Sequence, residues 1–70
     1  MRFIITTECG TRIDIDAKTR KFSAVDINGI QVEQGTITTD PQIIPGLPLV
    51  LGTSTGSVKF LGMVKGVVYR

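Results

Sequence analysis

The chain has no histidine, no tryptophan, a single cysteine and only three phenylalanines and one tyrosine in 70 residues. Without histidine the most frequent general base is missing. So are the Ser-His and Cys-His nucleophile pairs and most transition-metal sites. One cysteine, Cys9, cannot close an intrachain disulfide. With no Cys-x-x-Cys pair, a structural zinc site is excluded as well. No apolar run approaches the ~18 residues of a membrane-spanning helix. The opening stretch turns to Thr6-Thr7-Glu8 where a signal peptide would carry its apolar region. These absences set four expectations: no catalysis, no cofactor, no metal and no membrane attachment. The lone cysteine suits a reducing, cytoplasmic compartment.

Small size adds a constraint. Residues 1–70 make one small β domain, with no room for a second. A chain of this length buries only roughly 60% of the surface that its unfolded form exposes. Small folds usually compensate with disulfides, a metal or association. The first two are missing, so a homo-oligomer is expected.

Charge is modest, at +2 overall, but unevenly spread. The first forty residues hold six acids and five bases, whereas residues 41–70 hold Lys59, Lys65 and Arg70 and no acid. Such an imbalance steers an anionic partner only mildly.

What the chain does have is β-branched residues and period-two alternation, with no helical spacing of apolar positions. Arg2 to Glu8 reads as a first strand. In Arg12 to Asp16, Ile13 and Ile15 face in and Arg12, Asp14 and Asp16 face out. Lys21 to Ile27 reads as a third strand with Val25 and Ile27 inward. Ile30 and Val32 follow inward, and Thr36 to Thr39 continues as an extended piece. Cys9-Gly10 reads as a two-residue turn, and Asn28-Gly29 as a type I′ hairpin turn. Ser57 to Leu61 and Met63 to Tyr69 read as two separate strands whose apolar residues fail to alternate. Strands covered on both faces lose alternation in this way. The expected architecture is all-β: six to seven short antiparallel strands in a small barrel or sandwich, SH3-like or OB-like, with no substantial helix.

Four groups of residues are candidates for a site. Gly52-Thr53-Ser54-Thr55-Gly56-Ser57, with Lys59 downstream, could cradle a small anion through converging N–H and hydroxyl donors. It lacks the Gly-Lys-Ser/Thr of a P-loop, and a plain hairpin loop has the same composition. Lys18, Arg20 and Lys21, helped by Lys59 and Lys65, could contact phosphates. Few aromatics are present to stack on bases, which weakens that reading. Asp14, Asp16 and Asp26 could flank a hard cation, but equally suit a solvated strand face. Finally, Ile43, Ile44 and Leu47 in the Pro41–Pro48 segment form an apolar group that is either a lid or a contact surface. With Phe60, Leu61, Val67 and Tyr69 they make the expected interface.

The leading expectation is a non-catalytic interaction module that self-assembles and binds a protein or a small anionic ligand through its loops. An accessory subunit and a small viral factor both fit that description. The alternative is a small nucleic-acid-binding barrel.

Overall fold

The computed structural model describes residues 2–38 and 40–70, so the part of the Thr36 to Thr39 reading that falls on Thr39 lies outside it. Its regular structure is β1 (Arg2–Thr7), β2 (Arg12–Asp16), β3 (Lys21–Val25), β4 (Gln31–Thr36), β5 (Pro48–Gly52) and β6 (Val58–Tyr69), with no helix among the described residues. All pairings are antiparallel, in the order β4-β3-β2-β1-β6-β5. The sheet curls into a half-barrel whose edges touch at one end. There Ile37 bridges Thr53, Thr38 N donates to Gly52 O at 2.9 Å, and Ser54 N donates to Thr36 O at 2.9 Å.

Three of the connecting turns are built alike, from residues 7–11, 26–30 and 53–57. Each begins with a short oxygen-bearing side chain (Thr7, Asp26, Thr53) and has glycine fourth. In each the glycine N–H donates to the first residue's carbonyl, at 3.0, 2.9 and 3.0 Å. The glycines take φ of +90°, +80° and +85°. This is a type I turn closed by a glycine bulge, a three-residue hairpin loop. The side-chain oxygen fixes the corner: Asp26 Oδ1 accepts from Asn28 N at 2.8 Å and Ile30 N at 3.0 Å. The expected two-residue turns at Cys9-Gly10 and Asn28-Gly29 are therefore corrected. A type I′ turn needs positive φ at both central residues, and Arg20 is the one non-glycine residue with positive φ among those described.

The longer loop has a further displacing effect. Strand β3 ends at Val25, and its buried side chains are Phe22 and Ala24. The reading of Val25 and Ile27 as inward is wrong by one residue, which exchanges the two faces of the strand. Ile27 is 76% exposed, and Ile30 and Val32 are exposed too, against expectation. Val32 sits where the β3–β4 register slips, between the pairs Ala24↔Glu33 and Val25↔Gln31.

The core lies on the inner face of the curled sheet. Ile5, Ile13 and Ile15 come from β1 and β2, Leu49 and Leu51 from β5, and Val64 from β6. Each fully buried aliphatic side chain contributes about 1.5–3 kcal/mol. Small residues complement large ones across the ladder: Ala24 opposes Ile13, and Gly35 opposes Phe22. A Cβ on Gly35 would stand 3.2 Å from the Phe22 ring.

The two expected C-terminal strands are one, β6, which bends at Gly62 and pairs with β5 from Val58 to Met63 and with β1 from Val64 to Tyr69. Gly62 has φ +115°, and a Cβ there would lie 3.3 Å from Thr7 Cβ. Gly62→Ala therefore meets both backbone strain and a packed neighbour. We expect a loss of about 1–3 kcal/mol in urea unfolding. A midpoint equal to the wild type would contradict this account of the bend. The proline-rich segment is docked on β6 by its backbone: Gly46 N donates to Val64 O at 2.8 Å, and Val64 N to Leu47 O at 2.9 Å.

Candidate functional site

In β5 and the first half of β6 the inner side is filled by Leu49, Leu51, Leu61 and Val64. The outer side is apolar as well. Val50 opposes Phe60, Pro48 opposes Met63 and Gly52 opposes Val58. Paired residues share a face in an antiparallel ladder. Val58 is 69% exposed and Phe60 64%, with Val50 and Met63 also exposed. No charged side chain interrupts this row. Lys59 points inward, opposite Leu51, where its Nζ lies 3.7 Å from Glu33 Oε2. That ion pair spans the gap between the two ends of the curled sheet. The failed alternation of the sequence here has a physical origin: both faces of the hairpin are apolar, and the outer one has no cover.

The expected interface residues divide. Phe60, Ile44 and Leu47 are exposed. Leu61 and Val67 instead pack against the core, as does Ile43, so Ile43 is the lid and Ile44 and Leu47 are the outward part of the same segment. Tyr69 is exposed but engaged edge-to-face with Phe3, ring centroids 5.2 Å apart. Sequence reasoning missed Pro48 and Val50, while Val58 and Met63 fell within the two-sided apolar stretch Ser57 to Tyr69 without being singled out. The signal that could have found the first two was the unbroken apolar run Pro48–Leu51.

The glycine–threonine loop is tightly self-satisfied. Thr53 is buried, and its hydroxyl donates to Ser57 O at 3.0 Å and lies 2.9 Å from Thr55 Oγ1. The N–H groups of Thr53, Ser54 and Gly56 all donate to main-chain carbonyls. Ser54, Thr55, Gly56 and Ser57 are exposed, but the N–H donors that would converge on an anion are largely occupied.

The basic candidates also separate. Arg20, at φ +63°, places Nη1 2.6 Å from Asp40 Oδ1 and serves its own turn. Lys18 and Lys21 are exposed at the β2–β3 hairpin, and Lys65 is exposed on β6 at the register slip between Thr6↔Gly66 and Thr7↔Val64. Asp14 and Asp16 pair with Arg2, whose Nε and Nη2 lie 3.1 and 3.9 Å away. Asp16 also accepts from Lys18 N at 2.9 Å and Thr19 N at 3.4 Å. Those N–H groups, ahead of Arg2, hold its carboxyl below the usual range. Asp26 caps its turn, and no three acids or cysteines among the described residues are grouped to hold a metal ion. No described helix is long and apolar enough to cross a membrane.

Cys9 is exposed, with Sγ 3.2 Å from Thr7 Oγ1 and 3.3 Å from Thr11 Oγ1. Hydroxyl donation, first from Thr11 and then from Thr7, lowers the thiol to about 7. The thiolate is the nucleophile, so iodoacetamide alkylation should rise with pH around a midpoint near 7. Thr11→Val should move that midpoint upward. An unmoved midpoint would show that the hydroxyls are not the cause.

No protein-family model matches the chain, and no curated protein or solved structure matches it.

Proposed function

We propose that the protein is a non-catalytic interaction module that works as a homo-oligomer, its copies meeting through the outer face of the β5–β6 hairpin. The observation that carries this reading is the uncharged row Pro48, Val50, Val58, Phe60 and Met63, open to solvent on a chain whose single cysteine cannot close an internal disulfide. A standard interface takes about 800 Å² from each partner, under a fifth of this molecule's 4432 Å². Ile44 and Leu47 extend the apolar surface beyond the hairpin. Each strand lies beside a neighbour in sequence and β6 returns to β1. That order argues against the Greek-key arrangement of an OB barrel and favours the SH3-like type. The unpaired Cys9 fits a cytoplasmic setting.

Native mass spectrometry of the protein across a concentration series tests the reading. We expect one discrete oligomer that dissociates on dilution. A monomer at the highest concentration, with the fold intact, would overturn it.

A further inference from the structure

We infer that the outer face of strands β1, β2 and β3 binds the phosphate backbone of nucleic acid. This inference is independent of the association reading, because it uses the opposite part of the sheet.

The register builds the face. Arg70 and Arg2 exchange backbone hydrogen bonds at 2.6 and 2.8 Å, Arg2 opposes Asp16, and Asp16 opposes Lys21. One row therefore crosses four strands, roughly 14 Å at ~4.8 Å per strand. Arg12 lies further along the same face, and Lys18 stands at the adjoining turn. Two shallow grooves, of about 680 and 450 Å³, meet at Arg2, Asp14 and Asp16. Five cations (Arg2, Arg12, Lys18, Lys21, Arg70) stand against two acids, a net +3 where the whole chain carries +2. The acids are already engaged. Asp14 and Asp16 pair with Arg2, and Asp16 caps the turn as well. Among the described residues, Arg12, Lys18, Lys21 and Arg70 form no ion pair, so their charge is available to a ligand.

The neighbours of these cations favour phosphate over an acidic protein. Thr19, Ser23, Gln34 and Thr36 line the larger groove and add polar hydrogen-bonding groups. A protein partner would want an apolar or aromatic anchor at the centre of its contact, and this face has only the scattered aliphatic side chains Ile4, Val25 and Val68 in that role. Phe22 borders the larger groove but is buried, so the face offers bases no open aromatic ring to stack on. Phosphate contacts need donors alone and carry no sequence information. Binding should therefore be backbone-directed and indifferent to base sequence.

The test is fluorescence anisotropy with a labelled mixed-sequence single-stranded DNA, from about 50 to about 200 mM salt. It is run on the wild type and on the Phe60→Lys variant. At about 0.7 per contact, four phosphate contacts give a slope of log K against log salt near −3. Lys18→Gln/Lys21→Gln should weaken binding at least about tenfold and flatten the slope to about half, while Lys65→Gln should change it less than about twofold. Equal binding by Phe60→Lys keeps this result separate from the association reading. No binding at low salt, binding insensitive to salt, or an equal loss in Lys65→Gln would overturn the inference. Competition by poly-glutamate as effective, charge for charge, as by DNA would overturn the choice of nucleic acid.

Discussion

Replacing Val64 with Asp unfolds the molecule. Val64 is fully buried on the inner face of β6, opposite Thr7, and its backbone holds Gly46 and Leu47 of the proline-rich segment. A carboxylate there has no cation within the core to meet it, and an unpaired buried charge costs several kcal/mol. A chain of this length has a total stability of about 4–10 kcal/mol. The loss therefore consumes the whole margin. Far-UV circular dichroism and amide dispersion should both report an unfolded chain at neutral pH. A native spectrum would mean that Val64 is not the centre of the core.

Phe60→Lys should have the opposite profile. Phe60 lies on the same strand, four residues earlier, yet it points outward and is 64% exposed in the single chain. Its loss removes no core packing, so the spectrum stays native and thermal stability of the monomer changes little. Association should fall sharply. An aromatic anchor at the centre of an interface is worth about 2–4 kcal/mol, or roughly 30- to 1000-fold in affinity, and a lysine also brings charge into an apolar contact. Sedimentation velocity should find the monomer at concentrations where the wild type is assembled. An unchanged mass distribution would exclude this face. An unfolded variant would show that Phe60 belongs to the core after all.

The pair of outcomes separates two kinds of apolar residue that the sequence alone could not tell apart. Strand β2 was legible because its hydrophobic alternation is clean: Ile13 and Ile15 go in, and Arg12, Asp14 and Asp16 go out. Strand β3 was not, because Val25 and Ile27 outweigh Ala24 in hydrophobicity, while the packing partner of large Ile13 is small Ala24. Asp26 had already taken the chain into its turn, a local hydrogen-bonding effect that hydrophobic pattern does not register. The bend at Gly62 lies within one continuous strand, not between two, since the chain changes partner strands there without losing pairing.

The candidate sites follow the same division. Lost alternation in the C-terminal half correctly marked strands apolar on both faces, but it could not say which residues were inward. Leu61 and Val67 were thus grouped with Phe60, whereas the register places them against the core. The basic hairpin was visible as Lys18 and Lys21, but Arg2, Arg12 and Arg70 join it only through strand pairing between distant segments. Arg20, adjacent in sequence, is drawn off by Asp40.

The most direct measurement is hydroxyl-radical footprinting read by mass spectrometry across the association range. If copies meet through the β5–β6 outer face, labelling of Phe60 and Met63 falls severalfold as the protein assembles, while Tyr69 is labelled at a constant rate. Labelling of Phe60 and Met63 that stays the same in monomer and oligomer would contradict the account, and would mean that the uncharged face serves something other than a second copy of this chain.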